Sequence, residues 1–303
     1  MAVTCLIDCD PGTDDALALL LAFGSPELDI AAITVVAGNV GLDRTLANAR
    51  ALVALAAARV PVFAGADRPF LGRYKTAAHA HGEDGLGGVR LSDGAPAAPG
   101  IAADAIRRIL REVAEPVTIV GIGPATNLAI ALHTEPALAP RIACFVLMSG
   151  AWGEGNVTPA AEFNAHCDPE ALAAVLALGR PVVLATLEVT AQALATQARL
   201  AALAAAGPGR ALAAACAIQG SVPFTRDRVG AALHDPCAVA WLLRPDLFTA
   251  RPARVSVDLG PASRGRTNIE RGCRVEEANA MVLETLDADG FFALLAERLG
   301  RLP

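Results

Sequence analysis

The sequence predicts an α/β protein with an open, mostly parallel β-sheet flanked by helices. Short β-rich runs alternate with longer helical patterns from the first residues onward, which is typical of βα units around a parallel sheet. Hydrophobic residues make up 54% of the chain and charged residues 18%, so most strands and helices are expected to be buried. No linker rich in Pro, Gly or Ser divides the chain, and we therefore predict a single domain over residues 1–303.

Five strands are predicted in the first two thirds of the chain, each from a short apolar run. They lie near Val3–Cys9, Ile30–Val36, Val117–Ile122, Cys144–Met148 and Val182–Leu187. Helices are predicted to start near Thr13, Asp43, Ala102, Ala125, Pro169 and Ala191. The last third predicts a helix near Pro236–Leu243, strands near Arg254–Asp258 and Ala280–Leu286, and a closing helix from Ala288.

Two connections, Ala66–Gly100 and Ser149–Asp168, are too long to be plain turns. Structureless loops beyond about 15 residues are usually functional or disordered. The second connection reads "SGAWGEGNVTPAAEFNAHCD", and it is too rich in Trp, Phe, Glu and Asn to be filler. We therefore expect this connection to carry functional residues.

Composition excludes several classes of partner. The formal net charge is −6, no basic run occurs, and Lys75 is the only lysine, so we expect neither nucleic acid nor a membrane surface as a partner. The seven cysteines lack C-x-x-C spacing and are interpreted as buried hydrophobic residues in a reducing compartment. The first residues do not resemble a signal peptide, and no apolar run reaches the roughly 20 residues of a membrane span. We expect a cytoplasmic protein.

Four aspartates are concentrated in the stretch "LIDCDPGTDDALALLLA". Asp8 and Asp10 end the first predicted strand, and Asp14 and Asp15 fall in the first turn of the next helix. In open parallel sheets, ligands bind beyond the carboxyl ends of the strands. We therefore expect these side chains to lie at the same sheet edge as Asn39, which follows the second strand.

Helix capping explains one or two of these aspartates, but not four. Carboxylates this close together repel each other unless a cation lies among them. The cluster offers oxygen ligands with no adjacent His or Cys, which suits Ca²⁺ or Mg²⁺ rather than zinc. The stretch therefore predicts a site for a hard divalent cation.

A second informative stretch is "ALHDPCAVAWLL", in which His234 and Asp235 precede an apolar helix. Asp235 could be only the N-cap of that helix, with Pro at its first position. The stretch "EFNAHCDPEALAAVL" has the same Asp-Pro helix start at Asp168, and there Glu162 and Asn164 precede it. This recurrence favours a functional interpretation of both stretches.

Taken together, these segments resemble the inosine–uridine-preferring nucleoside hydrolases. The similar segments follow in order from residue 3 to about residue 245: "DCDPGTDDA", "AGN", "HGEDGLG", "GPATNLA", "LMSGAWGEGN", "AEFNAHCDPEA" and "HDPCAVA". The resemblance implies an open α/β fold with a Rossmann-like core and a homodimer or homotetramer. It also implies Ca²⁺-dependent hydrolysis of ribonucleosides, which are small molecules, to ribose and free nucleobase.

The resemblance further implies roles for individual residues. Ca²⁺ would be bound by Asp10, Asp15, Asp235 and the backbone carbonyl of Ile122, with Asp10 as the base acting on the metal-bound water. The ribose 2′- and 3′-hydroxyls would contact Asp14, Asn164 and Asp235, the 5′-hydroxyl end Asn156 and Glu162, and the sugar pocket would be lined by Asn39 and Met148. His81 would lie near the nucleobase. His234 matches a position that some members use to protonate the departing base.

The nucleobase side departs from the family pattern. Some members carry tyrosines before the "HDP" sequence, whereas this chain has "SVPFTRDRVGAAL" there. The candidates for a wall against the base are Trp152, Phe224 and Arg228, although Trp152 could equally be an aromatic that packs its own loop. We therefore expect a broad or unusual base preference.

Two other functions fit parts of the pattern. A phosphohydrolase with a D-x-D motif would use Asp8 and Asp10, but it would also need a basic residue for phosphate, and Lys75 lies in a loop among His and Gly. Release of phosphate rather than reducing sugar would identify it. A non-catalytic ribose-binding protein also needs Asp and Asn around hydroxyl groups, but its binding would not depend on metal.

Overall fold

Strands and helices alternate along the chain in the computed structural model, which describes residues 2–222 and 229–303. The strands of the described residues are β1 (Val3–Cys9), β2 (Leu28–Val35), β3 (Val62–Ala64), β4 (Val117–Gly121), β5 (Ile142–Met148), β6 (Val182–Ala185), β7 (Leu194–Thr196), β8 (Gly230–Ala232), β9 (Phe248–Val257), β10 (Thr267–Glu270) and β11 (Ala280–Leu286).

The helices, within the same residues, are α1 (Thr13–Phe23), α2 (Leu42–Leu55), α3 (Ala78–His81), α4 (Ala102–Glu112), α5 (Thr126–Thr134), α6 (Phe163–Cys167), α7 (Pro169–Leu176), α8 (Leu187–Thr190), α9 (Gln197–Ala204), α10 (Arg210–Gly220), α11 (Asp235–Leu243) and α12 (Ala288–Leu299). Short 3₁₀ helices occur at Pro136–Arg141, Pro245–Leu247 and Val275–Glu277.

One large sheet of nine strands organises the fold, in the order β10-β9-β11-β6-β5-β4-β1-β2-β3. The seven strands from β11 to β3 in this order run parallel to one another, whereas β9 pairs antiparallel with both β11 and β10 at one end. The predicted α/β class with an open, mostly parallel sheet is therefore confirmed. A separate two-stranded antiparallel ribbon is formed by β7 and β8.

Apolar helices cover both faces of the sheet. Successive residues of a strand point to opposite faces, so each strand contributes side chains to two cores. In β1, Ile7 packs into the core that contains α1, α11 and α12, whereas Leu6 packs into the core that contains α4, α5 and α7. All residues of α1 from Thr13 to Ala22 are buried. Burial of whole helices explains the high apolar content of the chain.

Some predicted elements were misplaced or missed. The helix predicted to start near Ala191 begins at Gln197, because Leu194–Thr196 instead pairs with Gly230–Ala232 and the Thr196 hydroxyl then caps α9. The edge strand β3 was not predicted, since three residues give no detectable periodicity. Within residues 2–222 and 229–303, no helix combines the length and apolar character needed to cross a membrane.

Candidate active site

The carboxyl ends of neighbouring parallel strands bring the predicted site residues to one edge of the sheet. Asp10 follows β1, Asn39 follows β2, Ile122 follows β4, and Met148 ends β5. These strands are adjacent in the sheet, with β1 between β2 and β4. The sequence predicted that Asp10 and Asn39 would lie at the same edge of the sheet, and the structure also places Ile122 and Met148 there.

Three further carboxylates come from the facing starts of α1 and α11. Asp14, Asp15 and Asp235 each offer an oxygen within 4.8 Å of the others, and all three side chains are buried. The turn at Gly12 directs Asp15 inward, because Asp15 Oδ2 accepts hydrogen bonds from the Gly12 N–H (2.9 Å) and from Asn39 Nδ2 (3.0 Å). Asp14 Oδ2 accepts from the N–H of Asp235 (3.4 Å), so it helps to hold the start of α11.

The two carboxylate oxygens of Asp10 differ in their hydrogen bonding. Its Oδ2 accepts a hydrogen bond from the Asn39 N–H at 2.7 Å, whereas Oδ1 is buried without a hydrogen-bond partner among the described residues. A Cβ on Gly123 would lie 2.6 Å from Oδ1, and one on Gly38 would also collide with the carboxylate. The two glycines therefore leave room for Asp10 and for a ligand of its free oxygen.

Burial and mutual repulsion oppose simultaneous ionisation of these carboxylates. Burial, reinforced by neighbouring negative charges, raises the pKa of Asp10 and of Asp235 well above the ordinary range. Burial and the charge of Asp14 raise the pKa of Asp15 to about 7. The carboxylates of Asp14, Asp15 and Asp235 also lie close to one another. A hard cation among them would relieve the repulsion, so this donor set fits a divalent metal.

The three-carboxylate cluster differs in one member from the set predicted for the metal. Asp14 belongs to the cluster. Asp10 contacts the cluster through its backbone N–H, which donates a hydrogen bond to Asp15 Oδ1 at 3.2 Å. The carbonyl oxygen of Ile122 accepts a hydrogen bond from Asn164 Nδ2 at 3.0 Å. The same amide donates to the Met148 carbonyl at 3.1 Å. Asn164 therefore links the ends of β4 and β5.

Glu162 is the N-cap of α6 and is fully engaged by the chain around it. Its Oε1 accepts from the N–H of Asn164 (2.8 Å), and its Oε2 accepts from the N–H groups of Ala165 (2.9 Å) and Gly150 (2.9 Å). The Ser149 hydroxyl also donates to Oε2 at 3.4 Å. Glu162 therefore fixes the two ends of the long connection after β5 against each other.

Two histidines at the site are each held through Nδ1 by a threonine. His81 Nδ1 accepts a hydrogen bond from the Thr13 N–H at 3.1 Å and lies 2.9 Å from its hydroxyl. Because a backbone N–H can only donate, this nitrogen carries no proton, and burial also lowers the pKa of His81. His234 Nδ1 lies 2.7 Å from the Thr190 hydroxyl. Both rings are therefore held in fixed orientations.

The remaining predicted residues are less closely tied to the carboxylates. Asn156 is exposed in the connection after β5. Trp152 stacks under the guanidinium of Arg271, which lies 4.5 Å from the ring centroid and belongs to a different connection. Phe224 and Arg228 lie outside the described residues.

Asp8, the fourth aspartate of the N-terminal stretch, stands apart from the cluster. Its Oδ1 accepts hydrogen bonds from Thr34 Oγ1 (2.5 Å) and Asn127 Nδ2 (2.8 Å), inside the sheet. Burial raises the pKa of Asp8 to about 7. Of the four aspartates in this stretch, Asp10, Asp14 and Asp15 therefore lie at the buried carboxylate site, whereas Asp8 has a structural role.

Comparison with known proteins identifies the family. The sequence model of the inosine-uridine preferring nucleoside hydrolases matches residues 5–293. The chain belongs to this family. A pyrimidine-specific ribonucleoside hydrolase RihA from Salmonella schwarzengrund (strain CVM19633) is 43% identical to it over 99% of both chains. The resemblance inferred from the motifs is thereby confirmed, and the chain is a nucleoside hydrolase.

Solved structures agree with this assignment. A purine-preferring ribonucleoside hydrolase from Gardnerella vaginalis is similar with a TM-score of 0.89, 31% sequence identity and 98% coverage of both chains. An inosine-guanosine nucleoside hydrolase is similar with a TM-score of 0.89 and 29% identity over 99% of both chains. The similarity covers the whole nucleoside hydrolase chain rather than one segment of it.

Several residues that orient the site side chains of this nucleoside hydrolase were not predicted from the sequence. Thr13 and Thr190 orient the two histidines, and Asn127 holds Asp8. Thr13 stands next to the aspartates in sequence, which is a usable signal. Thr190 is 44 residues from His234 and carries no such signal.

Proposed function

We propose that the chain is a Ca²⁺-dependent enzyme that hydrolyses the N-glycosidic bond of ribonucleosides to ribose and free nucleobase. The observation that carries this proposal is the buried carboxylate group of Asp10, Asp14, Asp15 and Asp235, in which Asp10 Oδ1 has no hydrogen-bond partner among the described residues. Family membership favours this reaction over the phosphohydrolase and the ribose-binding protein.

The proposed cation site consists of oxygen donors. Asp10, Asp15, Asp235 and the backbone carbonyl of Ile122 would hold the ion, with Asp14 beside them. Oxygen donors of this kind favour Ca²⁺ or Mg²⁺ over softer metals, and Ca²⁺ accepts the larger number of ligands that carboxylates and sugar hydroxyls together provide. When bound, the ion supplies positive charge that lowers the pKa of a coordinated water.

The carboxylates also suit the transition state of this reaction. Breaking an N-glycosidic bond builds positive charge on the ribosyl ring, and negative side chains around the ring stabilise that charge. Asp10 is proposed as the general base that takes the proton of the attacking water. General-base catalysis is typically worth about 10²–10⁴ in rate.

The proposed ribose contacts are those that the family resemblance implies. The side chains proposed to contact the sugar are Asp14, Asn39, Met148, Asn156, Glu162, Asn164 and Asp235. Of these, Asn164 and Glu162 also act indirectly, because their side chains hold the backbone around the site through hydrogen bonds. The small-molecule substrate is thus expected to be bound through hydrogen bonds to its ribose hydroxyl groups. The cytoplasmic location and the homodimeric or homotetrameric state stay predictions.

For the nucleobase we propose a preference for pyrimidines. The RihA relative at 43% identity is named pyrimidine-specific, whereas the more distant solved structure at 31% identity is named purine-preferring. His81 and His234 are proposed to face the base. The kcat/KM for release of free ribose from uridine, cytidine, inosine and adenosine tests this preference, and equal or higher values on the purine nucleosides would contradict it.

Calcium is expected to raise the melting temperature more at about pH 8 than at about pH 5.5. Without the ion, the pKa of Asp15 is raised from 3.8 to about 7 in the folded state. The resulting loss of stability is therefore absent below about pH 3.8, grows as the pH rises, and is complete above about pH 7. The ion relieves this cost, and its stabilisation therefore grows as the pH rises through that window. Calorimetry with and without chelator measures the effect. A melting temperature that does not respond to chelation at either pH would contradict the metal site.

His234→Ala is expected to lower kcat/KM for uridine and inosine by about 10²-fold but to leave a p-nitrophenyl riboside almost unaffected. The reason is that a departing nucleobase must gain a proton, whereas p-nitrophenolate leaves without one. His133→Ala is the matched control, since His133 is exposed near the end of α5. Equal losses on all three substrates would mean that His234 serves binding or structure.

A further inference from the structure

A chain of hydrogen bonds connects the long segment after β3 to the starts of α5 and α7. The Tyr74 hydroxyl lies 2.8 Å from Thr126 Oγ1, and this oxygen donates to Asp168 Oδ2 at 2.7 Å. Because the single proton of Thr126 is used toward Asp168, Tyr74 must be the donor to Thr126. Burial raises the pKa of Tyr74, so its phenol keeps the proton that this bond needs.

Asp168 is the common anchor of three elements. Its Oδ2 also accepts from the Phe70 N–H at 2.9 Å, and its Oδ1 accepts from the Ala171 N–H at 3.1 Å, which caps α7. Asp168 is completely buried and Thr126 is 1% exposed. One carboxylate therefore fixes the start of α7, the start of α5 and the segment 66–77.

The segment 66–77 leads directly into the site. It ends at Ala77, whose N–H donates to the carbonyl of Asn39 at 2.9 Å, and α3 with His81 follows at once. Residues 71–73, 75 and 76 are exposed, whereas Tyr74 is partly buried and contacts Thr126. The backbone of Lys75 also hydrogen-bonds the Cys167 thiol. On the other side of Asp168, α6 carries Asn164. The hydrogen-bond chain thus joins the segment that leads to His81 to the end of the helix that carries Asn164.

We propose that Tyr74, Thr126 and Asp168 are positioning residues that hold the segment 66–77 in place and thereby set His81 against the nucleobase. This inference rests on the proposed function, because it assigns the segment to the leaving-group side of that reaction. None of the three hydroxyl or carboxyl groups belongs to the carboxylate cluster that is proposed to hold the cation. Loosening them is therefore expected to affect nucleosides more than a substrate whose leaving group needs no help from the protein.

Tyr74→Phe and Thr126→Val test the proposal, because each removes one hydroxyl from the chain at nearly constant shape. Each variant is expected to lower kcat/KM for uridine about tenfold and kcat/KM for a p-nitrophenyl riboside less than about twofold. The double variant is expected to lose little more than either single one, because the two hydroxyls act as one chain. Thr134→Val is the matched control: it makes the same substitution at the exposed end of the same helix.

The outcomes separate the inference from the proposed function. Wild-type protein that releases ribose from neither substrate refutes the proposed function and the inference with it. Active wild-type protein, combined with Tyr74→Phe kinetics that are unchanged or reduced equally on both substrates, overturns the inference alone. Melting temperatures are recorded for each variant, and if Thr126→Val fails to fold, the partly exposed Tyr74→Phe still decides between these results.

Discussion

Replacing Asp10 with Asn is expected to lower kcat for ribose release by about three orders of magnitude while the protein still folds. The substitution removes the proposed general base and one negative charge from the cation site, but it keeps the shape of the side chain. It also relieves repulsion among buried carboxylates that already hold raised pKa values. The metal-free variant should therefore melt no lower than the metal-free wild type, and calcium should stabilise it less.

Asp8→Asn provides the matched control for Asp10→Asn. Asp8 is equally buried in the same N-terminal stretch, but its carboxylate is bonded to Thr34 and Asn127 rather than directed to the cluster. Because burial raises its pKa to about 7, the fold already tolerates a neutral side chain there. We expect this variant to retain activity within about tenfold of wild type. Near-wild-type turnover of Asp10→Asn would contradict the assigned role of Asp10.

Glu162→Ala is expected to lower the free energy of unfolding by about 3 kcal/mol and kcat/KM by about a hundredfold. The truncation leaves the N–H groups of Gly150, Asn164 and Ala165 without their acceptor. It also frees the chain that places the Asn164 amide against the ends of β4 and β5. Denaturant unfolding measures the first effect and ribose release the second.

The control for Glu162→Ala is Glu154→Ala in the same connection, where the side chain is exposed. This variant is expected to match wild type in stability within about 0.5 kcal/mol. If the two glutamate variants unfold alike, the role of Glu162 as an anchor of the connection is wrong.

Local signals were sufficient to predict the central part of the fold. The strand β1 and the start of α1 follow from an apolar run, a Pro-Gly turn and acidic residues in a first helical turn. The ribbon of β7 and β8 could not be predicted, because Leu194–Thr196 lies in an Ala-rich, helix-favouring context and becomes a strand only by pairing with Gly230–Ala232. Tertiary pairing overrides local preference there.

The residues of the candidate site also divide into those that the sequence predicts and those that depend on distant contacts. Placing Asp10 beside Asn39 required only the rule that parallel strands end at one edge of the sheet. In contrast, Thr13 and His81 are 68 residues apart, and Tyr74 and Thr126 are 52 residues apart. Such contacts depend on how long connections fold back over the sheet, and neither residue type nor spacing encodes that path.

The most direct test of the calcium-dependent hydrolysis is to measure free ribose from a panel of purine and pyrimidine ribonucleosides with and without chelator. Calcium-dependent hydrolysis predicts ribose release from pyrimidine ribonucleosides, loss of that release on chelation, and recovery when Ca²⁺ is added back. Ribose release that persists after complete chelation, or no release from any ribonucleoside in the presence of Ca²⁺, would contradict it.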